Sequence, residues 1–291
     1  MHSPFVFKLL TECFYKKERK PGFKKVLAFR DALSKDHQVI SVTDFGAGSR
    51  VFSSERRKVS AIAKNAGISK KRALLLNKLT SYLQCKNALE LGTSVGISSA
   101  AIAAGNNLQL TSIEGCPETA NIAREYFRKF KLENITLKVG EFEEELNGFL
   151  EKQESRDKSQ DKRQNREDGR PETEDRLESG DRRPKTESQN QPQTPNHKPQ
   201  TTNHKLQTPD LIYFDGNHQK EASLHYFEKL LPLAHNDSVF IFDDIHWSGE
   251  MEEAWEQIKA HPRVRVSIDT FFWGLVFFRK EQEKEHFTIR L

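Results

Sequence analysis

The sequence has 291 residues and a formal net charge of +4, and 35% of its residues are hydrophobic against 30% charged. So small an excess of positive charge gives little support to nucleic-acid binding, and no nucleic-acid partner is expected. Three unpatterned cysteines, the lack of an apolar run of roughly 18 residues and a start unlike a signal peptide favour a cytoplasmic protein outside the membrane.

The first part of the chain indicates helices around one short strand. Apolar spacing predicts a helix over residues 3–35, for which Ser3 is a suitable N-cap. A β-like run follows at 39–42, and residues 56–84 return to a helical pattern. We interpret residues 1–69 as a helical extension that covers the next domain or forms an oligomer contact, which would be compatible with a homodimer.

From residue 87 onward, short apolar strands alternate with helices. Strands are predicted at 87–91, 108–113, 135–139, 211–214 and 239–242. Such alternation predicts a parallel sheet covered by helices on both faces. Two further β runs, 264–268 and 274–278, would form a C-terminal antiparallel hairpin. The fold class is therefore α/β, with a doubly wound, mostly parallel, seven-stranded sheet formed by residues 70–150 and 210–291.

Residues 151–209 interrupt this pattern with a polar segment. Leu177 and Leu206 are its only aliphatic, aromatic or sulfur-containing side chains. Such a composition cannot bury enough apolar surface to offset the entropy of ordering, so the segment is predicted to be disordered. Because it falls between a helix and a strand of one predicted sheet, we interpret it as a loop insertion and not as a linker between domains.

The turn after the first of these strands has the features of a nucleotide-binding loop. Gly92 allows a sharp turn, and Gly96 allows the next helix to begin close to a ligand and to present free N–H groups to an anion. Glu114 ends the second strand, 22 residues after Gly92, where a carboxylate suits the two hydroxyls of a ribose. The alternative is an ordinary turn with two glycines beside a solvated glutamate.

The residues around Gly92 bear on which nucleotide is bound. The spacing lacks the third glycine of G-x-G-x-x-G, since position 99 is Ser, and this counts against a nicotinamide-dependent oxidoreductase that uses NAD. Glu90 precedes the turn, where its carboxylate would repel phosphate but pair with a cationic amino group. The combination favours S-adenosylmethionine (SAM). The oxidoreductase and a catalytically inert SAM-binding module remain as alternatives.

Together with these residues, the run Asp215-Gly216-Asn217-His218 and the terminal hairpin resemble the class I SAM-dependent methyltransferases. Within them the nearest resemblance is to the metal-dependent O-methyltransferases of small molecules and their uncharacterised bacterial relatives, over about residues 70–280 without the insertion. The resemblance implies a Rossmann-like domain in which the glycine turn surrounds the methionine part of SAM, Glu114 binds the ribose and the turn after the third strand flanks the adenine. The cofactor-binding residues so predicted are Glu90, Gly92, Thr93, Ser94, Gly96, Glu114, Gly115, Glu141, Phe142 and Asp215.

Acids and imidazoles follow the fourth and fifth strands, whose carboxyl ends lie at one edge of the predicted sheet. The catalytic candidates are Asp215, His218, Asp244 and His246. Asp215, Asp243 and Asp244 offer the oxygen ligands that Mg²⁺ prefers, and a metal there would lower the pKa of an acceptor hydroxyl. The related O-methyltransferases have two acids and an Asn at comparable positions, so Asp244 departs from their pattern. Alternatively, His218 or His246 is a general base without a metal, or the acids only cap the following helices.

Three further features bear on the acceptor and the site. The chain lacks the Asp/Asn-Pro-Pro-aromatic run of enzymes that methylate nucleic-acid bases, so O-methylation of a small molecule is favoured, with protein and lipid acceptors left open.

Trp247 and residues 271–273 either wall an acceptor pocket or belong to the core. The run from Asp44 to Ser49 is a rival glycine motif, but no small-residue helix follows it, and we interpret it as an ordered turn near the site entrance.

Overall fold

The computed structural model describes residues 3–43, 45, 54–151 and 208–291 of the chain. Residues 3–148 and 208–291 of this part belong to one unit, and of a second unit, 149–207, only residues 149–151 are described. Most of the predicted polar insertion, and the glycine motif from Asp44 to Ser49 apart from Phe45, therefore lie outside the described residues.

Within the described residues, eight strands form one mostly parallel sheet and two short strands form a separate antiparallel pair. The strands are β1 (Val39–Ser41), β2 (Arg56–Lys58), β3 (Asn87–Leu91), β4 (Gln109–Glu114), β5 (Ile135–Val139), β6 (Leu211–Phe214), β7 (Val239–Asp243), β8 (Val266–Asp269), β9 (Trp273–Phe277) and β10 (Glu285–Thr288). The large sheet has the order β10-β8-β9-β7-β6-β3-β4-β5, in which β9 runs antiparallel to its neighbours. The doubly wound sheet and its C-terminal hairpin are confirmed, and β10 adds an edge strand to the seven predicted.

The helices lie mainly between the strands in sequence, as predicted. They are α1 (Pro4–Lys8), a π-helical turn (Leu9–Phe14), α2 (Phe23–Ser34), α3 (Val59–Asn65), α4 (Lys70–Tyr82), α5 (Ile97–Ala103), α6 (Pro117–Lys129), α7 (142–151), α8 (Lys220–Leu230), a 3₁₀ turn (Leu231–Leu233) and α9 (Gly249–Ala260). Over the described ranges, none of these helices is both long enough and apolar enough to cross a membrane.

The N-terminal part differs from the prediction in two places. Residues 3–35 are not one helix, because the chain leaves the helix after Phe14 and re-enters it at Phe23. The break contains Gly22, where a Cβ atom would lie 2.0 Å from the Ala104 carbonyl oxygen, so α2 begins in close contact with the end of α5. The predicted helix over 56–84 is likewise divided into β2, α3 and α4. The N-cap is confirmed, since Ser3 Oγ accepts the Val6 N–H at 3.3 Å.

The central strands are rich in apolar residues, as is typical of strands that are buried on both faces. Every residue of β6 and β7 is buried, and the rings of Phe214 and Phe242 on these strands stack with centroids 4.3 Å apart. The strand order reverses between β3 and β6, where Leu91 pairs with Phe214. Gly92 and Asp215 therefore follow adjacent strand ends at the point where sheets of this kind bind ligands.

Candidate active site

A cavity of about 560 Å³, called the site cavity below, lies where the strand order reverses. Its volume is within the usual range for a small-molecule site. Of the residues predicted for the site, those that line it are Gly92, Ser94, Glu114, Gly115, Glu141, Phe142, Asp215, His218, Asp243 and Asp244. Those that do not line it are Glu90, Thr93, Gly96 and His246.

The turn after β3 places its backbone directly against the backbone after β6. Gly92 has φ +100°, and a Cβ atom there would lie 2.1 Å from the Asp215 carbonyl oxygen, so both the dihedral angle and the contact require glycine. Gly96 immediately precedes α5 with φ +86°, and a Cβ atom there would lie 2.6 Å from the Phe127 ring. Gly96 does not line the cavity, and its role beside a ligand stays a prediction.

Glu114 ends β4 and is held beside the glycine turn. Its Oε2 accepts a hydrogen bond from the Ser94 N–H at 2.6 Å, and its Oε1 accepts one from the Cys116 N–H at 2.9 Å. Burial raises the pKa of the Glu114 carboxyl, and these backbone hydrogen bonds oppose the rise. Since each carboxylate oxygen has two lone pairs, Glu114 retains acceptor capacity toward a hydroxyl in the cavity.

Glu90 and Thr93 lie beneath the turn and are buried. Glu90 Oε2 accepts hydrogen bonds from the Ser112 hydroxyl at 2.5 Å and from the Ser99 hydroxyl, whereas no described residue is a partner of Oε1. Thr93 Oγ1 lies 2.5 Å from Ser112 Oγ. Burial raises the pKa of Glu90. Neither side chain lines the cavity, so the structure places both in a polar layer that supports the turn and not at the cavity wall where they were expected.

Two aromatic rings contact glycines at the strand ends that border the cavity. Phe142 begins α7, and a Cβ atom on Gly216 would lie 2.7 Å from its ring. Phe45 packs in the same way against Gly115, where a Cβ atom would lie 2.9 Å from the ring. Glu141, beside Phe142, also lines the cavity. These flat apolar surfaces are suited to a planar base.

Three acids meet at the ends of β6 and β7 with a cation that the sequence analysis did not consider. Arg72 on α4 donates from Nη1 to Asp243 Oδ1 at 3.0 Å, and the same nitrogen lies 3.9 Å from Asp244 Oδ1. The Tyr213 hydroxyl donates to Asp243 Oδ2 at 2.9 Å. Burial and the charge of Asp243 raise the pKa of Asp215 well above its ordinary range, and they also raise that of Asp244.

The predicted magnesium ligands do not fit a metal ion. In the part of the chain that the structure describes, no three His, Cys, Asp or Glu side chains are grouped as a metal site. The hydrogen bonds of Asp243 give a reason. Its Oδ1 accepts one hydrogen bond from Arg72 and one from the Asp244 N–H, each at 3.0 Å, and these occupy its two lone pairs. The expectation that Asp215, Asp243 and Asp244 hold Mg²⁺ is therefore not supported by their geometry.

The two candidate histidines have different surroundings. His218 lines the cavity, with its ring centroid 6.1 Å from that of Trp247. His246 Nδ1 lies 2.9 Å from Glu252 Oε1, and its Nε2 lies 3.0 Å from Asp269 Oδ2. Burial lowers the pKa of His246, but the two carboxylates outweigh it and raise the pKa. The expectation that His246 converges on the site is corrected, because carboxylates outside the cavity engage both of its ring nitrogens.

The C-terminal aromatic residues divide between the site, the surface and the core. Trp247 lines the cavity, Trp273 is 1% exposed, and Phe271 and Phe272 are about half exposed. The Arg72 guanidinium lies 4.9 Å from the centroid of the Phe272 ring. Sequence reasoning missed Arg72, because no local motif marks it and its partner Asp243 is 171 residues away.

Comparisons with known proteins agree with this geometry. Residues 89–245 match a family model described as a methyltransferase domain. Among solved structures, the SAH-bound methyltransferase PaMTH1 of Podospora anserina has a TM-score of 0.55 and 13% identity over 96% of this chain and 97% of that one. Cofactor-bound Rv0187 from MTB has a TM-score of 0.50 and 15% identity over 95% and 96% of the two chains. No curated protein sequence matches the chain significantly.

The similarity to PaMTH1, together with the mostly parallel sheet, shows the class I SAM-dependent methyltransferase fold. The matched residues make up more than half of the chain and include the glycine turn, Glu114 and the acids after β6 and β7. The chain therefore belongs to this methyltransferase domain family.

Proposed function

We propose that the chain binds SAM in the site cavity and transfers its methyl group to an oxygen atom of a small-molecule acceptor. The observation that carries the proposal is the frame formed by Gly92 and Glu114 where the strand order reverses, with Asp215 and His218 in the same cavity. Membership of the methyltransferase family supports the reaction type. The SAH bound to PaMTH1 supports the choice of cofactor.

In this proposal, each part of SAM has residues of the cavity lining assigned to it. The backbone at Gly92 and Ser94 would hold the methionine part, and the free acceptor capacity of Glu114 suits the ribose hydroxyls. The ring of Phe142 would flank the adenine. Asp215 follows the adjacent strand end, so its carboxylate would pair with the ammonium group, and this pairing would oppose the rise in its pKa.

The methyl acceptor must lose a proton as it gains the methyl group. SAM supplies a methyl group activated by a sulfonium. His218 is the base that we propose, since it lines the cavity and an imidazole nitrogen can accept the proton of an acceptor hydroxyl. Asp244 is an electrostatic neighbour of His218, so its carboxylate would stabilise the imidazolium formed when the proton is taken up. No step through Mg²⁺ is included, because the geometry of Asp215, Asp243 and Asp244 does not fit the metal ion.

The size of the cavity supports a small acceptor. About 560 Å³ must hold both SAM and the group to be methylated. Trp247 and His218 lie on one part of the lining, where an aromatic acceptor would contact apolar surface with its hydroxyl near the imidazole. The acceptor class that we propose is therefore a small hydroxylated, aromatic compound.

The cofactor is tested by calorimetric titration of SAM, and separately of NAD, into the full chain and into Glu114→Ala. We expect saturable SAM binding that weakens roughly tenfold to a hundredfold in Glu114→Ala, as for the loss of hydrogen bonds to a charged group. Glu125→Ala is the matched control, because Glu125 is exposed and does not line the cavity. Binding of NAD in place of SAM would reassign the protein to the oxidoreductases, and binding of neither would favour an inert module.

The base is tested by measuring SAH release with a panel of small phenols and catechols. His218→Asn should lower kcat by about a hundredfold or more while leaving SAM affinity unchanged. His246→Asn should retain kcat, since that imidazole lies outside the cavity. Equal losses in the two variants would contradict the role of His218.

A further inference from the structure

Arg72 lies in the acidic cluster where a metal ion was expected from the sequence. Its side chain is 21% exposed, with Nη1 3.0 Å from Asp243 Oδ1 and 3.9 Å from Asp244 Oδ1. Asp215 is a third carboxylate within electrostatic range of the guanidinium. The Phe272 ring covers the guanidinium at 4.9 Å. The Arg72 guanidinium therefore faces the three acids that were expected to bind a divalent metal ion.

The hydrogen bonds of Asp243 leave little room for a second cation. Both lone pairs of Oδ1 face N–H donors, one from Arg72 and one from the backbone of Asp244. Oδ2 accepts the hydroxyl of Tyr213, which is completely buried. A metal ion at this carboxylate would have to displace Arg72 from a largely buried ion pair, and it would then be repelled by the displaced charge.

We propose that Arg72 takes the place of the divalent cation in this methyltransferase, so that the acidic cluster is compensated by the protein itself. Arg72 is then a positioning residue: it fixes Asp243 and the start of the loop that carries Asp244 beside His218. The relevance to methyl transfer rests on the proposed function. The exclusion of a metal ion from the acidic cluster does not rest on the proposed function, because it concerns cation binding by the chain without SAM.

The arrangement predicts a gain of metal binding when the arginine charge is removed. Without Arg72, Asp215, Asp243 and Asp244 would be three poorly compensated carboxylates, which attract Mg²⁺ or Mn²⁺. With Arg72 present, the same ions should find no stoichiometric site. A residue that served only to pack the fold would not produce such a gain.

The test is titration of Mn²⁺ into the full chain without SAM, followed by the electron paramagnetic resonance signal of free Mn²⁺. Wild type should show no stoichiometric site, and Arg72→Met should gain one whose Mn²⁺ affinity is more than about tenfold above any weak, non-stoichiometric binding by wild type. Arg72→Lys should behave as wild type, because it keeps the positive charge. Arg19→Met is the control for net charge, since Arg19 is exposed and does not line the cavity.

Two outcomes would overturn the proposal. A stoichiometric Mn²⁺ site in wild type that is lost in Asp215→Asn would show that a metal and Arg72 coexist. A folded Arg72→Met with no gain in Mn²⁺ affinity would show that Arg72 does not exclude the ion. If Arg72→Met does not fold, wild type and Arg72→Lys still decide, because a stoichiometric Mn²⁺ site in either that is lost on adding Asp215→Asn contradicts the proposal. Failure of SAM binding would leave these readings unaffected and would contradict only the proposed function.

Discussion

The two halves of the site are assembled over different distances along the chain. In the half around the glycine turn, Glu114 accepts the N–H of Ser94, 20 residues away; Ser94 follows β3, and Glu114 ends the neighbouring strand β4. In the half around the acids, Asp243 pairs with Arg72, 171 residues away and on a helix that precedes the sheet. The first half therefore forms with one β-α-β unit, whereas the second requires α4 to dock at the end of β7. Substitutions in the two halves should therefore distinguish the local contacts of the first half from the long-range contact of the second.

The largest effect is expected at the closest backbone contact of the first half. In Gly92→Ala, the new Cβ atom would lie 2.1 Å from the Asp215 carbonyl at a positive φ, and backbone must move to accommodate it. We expect the free energy of unfolding to fall by at least about 3 kcal/mol, measured by urea denaturation. Gly249→Ala is the control, since a Cβ atom there meets nothing within 4 Å. Equal stability of the two variants would contradict the assigned contact.

The next effect concerns the long-range pair of the second half. Asp243→Asn removes the charge opposite Arg72, which then has no full countercharge at 3.0 Å. We expect a loss of about 2–4 kcal/mol in the free energy of unfolding, at the lower end because Arg72 keeps some solvent contact. In a double-mutant cycle, Arg72→Met with Asp243→Asn should lose less than the sum of the single variants. Strict additivity would show that the two side chains do not interact.

The buried glutamate of the first half should make stability depend on pH. Because burial raises the pKa of Glu90 in the folded protein, this group favours folding when it is protonated. Its contribution is complete below the unfolded pKa of 4.5 and is lost as the pH rises through the folded pKa. Wild type should therefore lose stability relative to Glu90→Gln on going from pH 4.5 to higher pH, measured by urea denaturation at several pH values. A difference that does not change with pH would contradict the raised pKa.

The smallest effect is expected at the edge of the second half. Phe272→Leu removes the ring over the Arg72 guanidinium but keeps an apolar side chain, and Phe272 is 48% exposed. We expect a loss of about 0.5–1 kcal/mol in the free energy of unfolding. The loss should disappear in an Arg72→Met background. Its persistence there would assign the effect to packing and not to the cation.

Sequence patterns predicted those elements whose signal is local. The bounds of β3, β5 and β6 agree with the prediction, because each is a short segment rich in apolar residues with polar residues or glycine on either side. The strand β10 was missed because an edge strand needs no continuous apolar run, and Glu285–Thr288 is only partly buried. The helix predicted over 3–35 is broken between Phe14 and Phe23, where Pro21 and Gly22 disfavour continuation of a helix and the apolar periodicity alone did not show the break.

The site shows the same division between local and long-range information. Their positions at predicted strand ends indicated that Gly92, Glu114 and Asp215 lie close together, since parallel strands place their carboxyl ends at one edge of a sheet. All three residues line the cavity. Spacing along the chain could not show that Glu90 lies beneath the turn, held by the hydroxyl of Ser99 at the position where a third glycine was sought. Nor could it show that His246 is held between two carboxylates.

The sequence by itself determined the alternation of strands and helices from residue 87 to residue 278, the glycine turn and the acids at the strand ends, because these depend on periodicity and short spacing. The tertiary structure decided which of these side chains reach the cavity and which cation compensates the acids. That decision rests on the docking of α4 at the end of β7, and no spacing along the chain encodes a contact between Arg72 and Asp243.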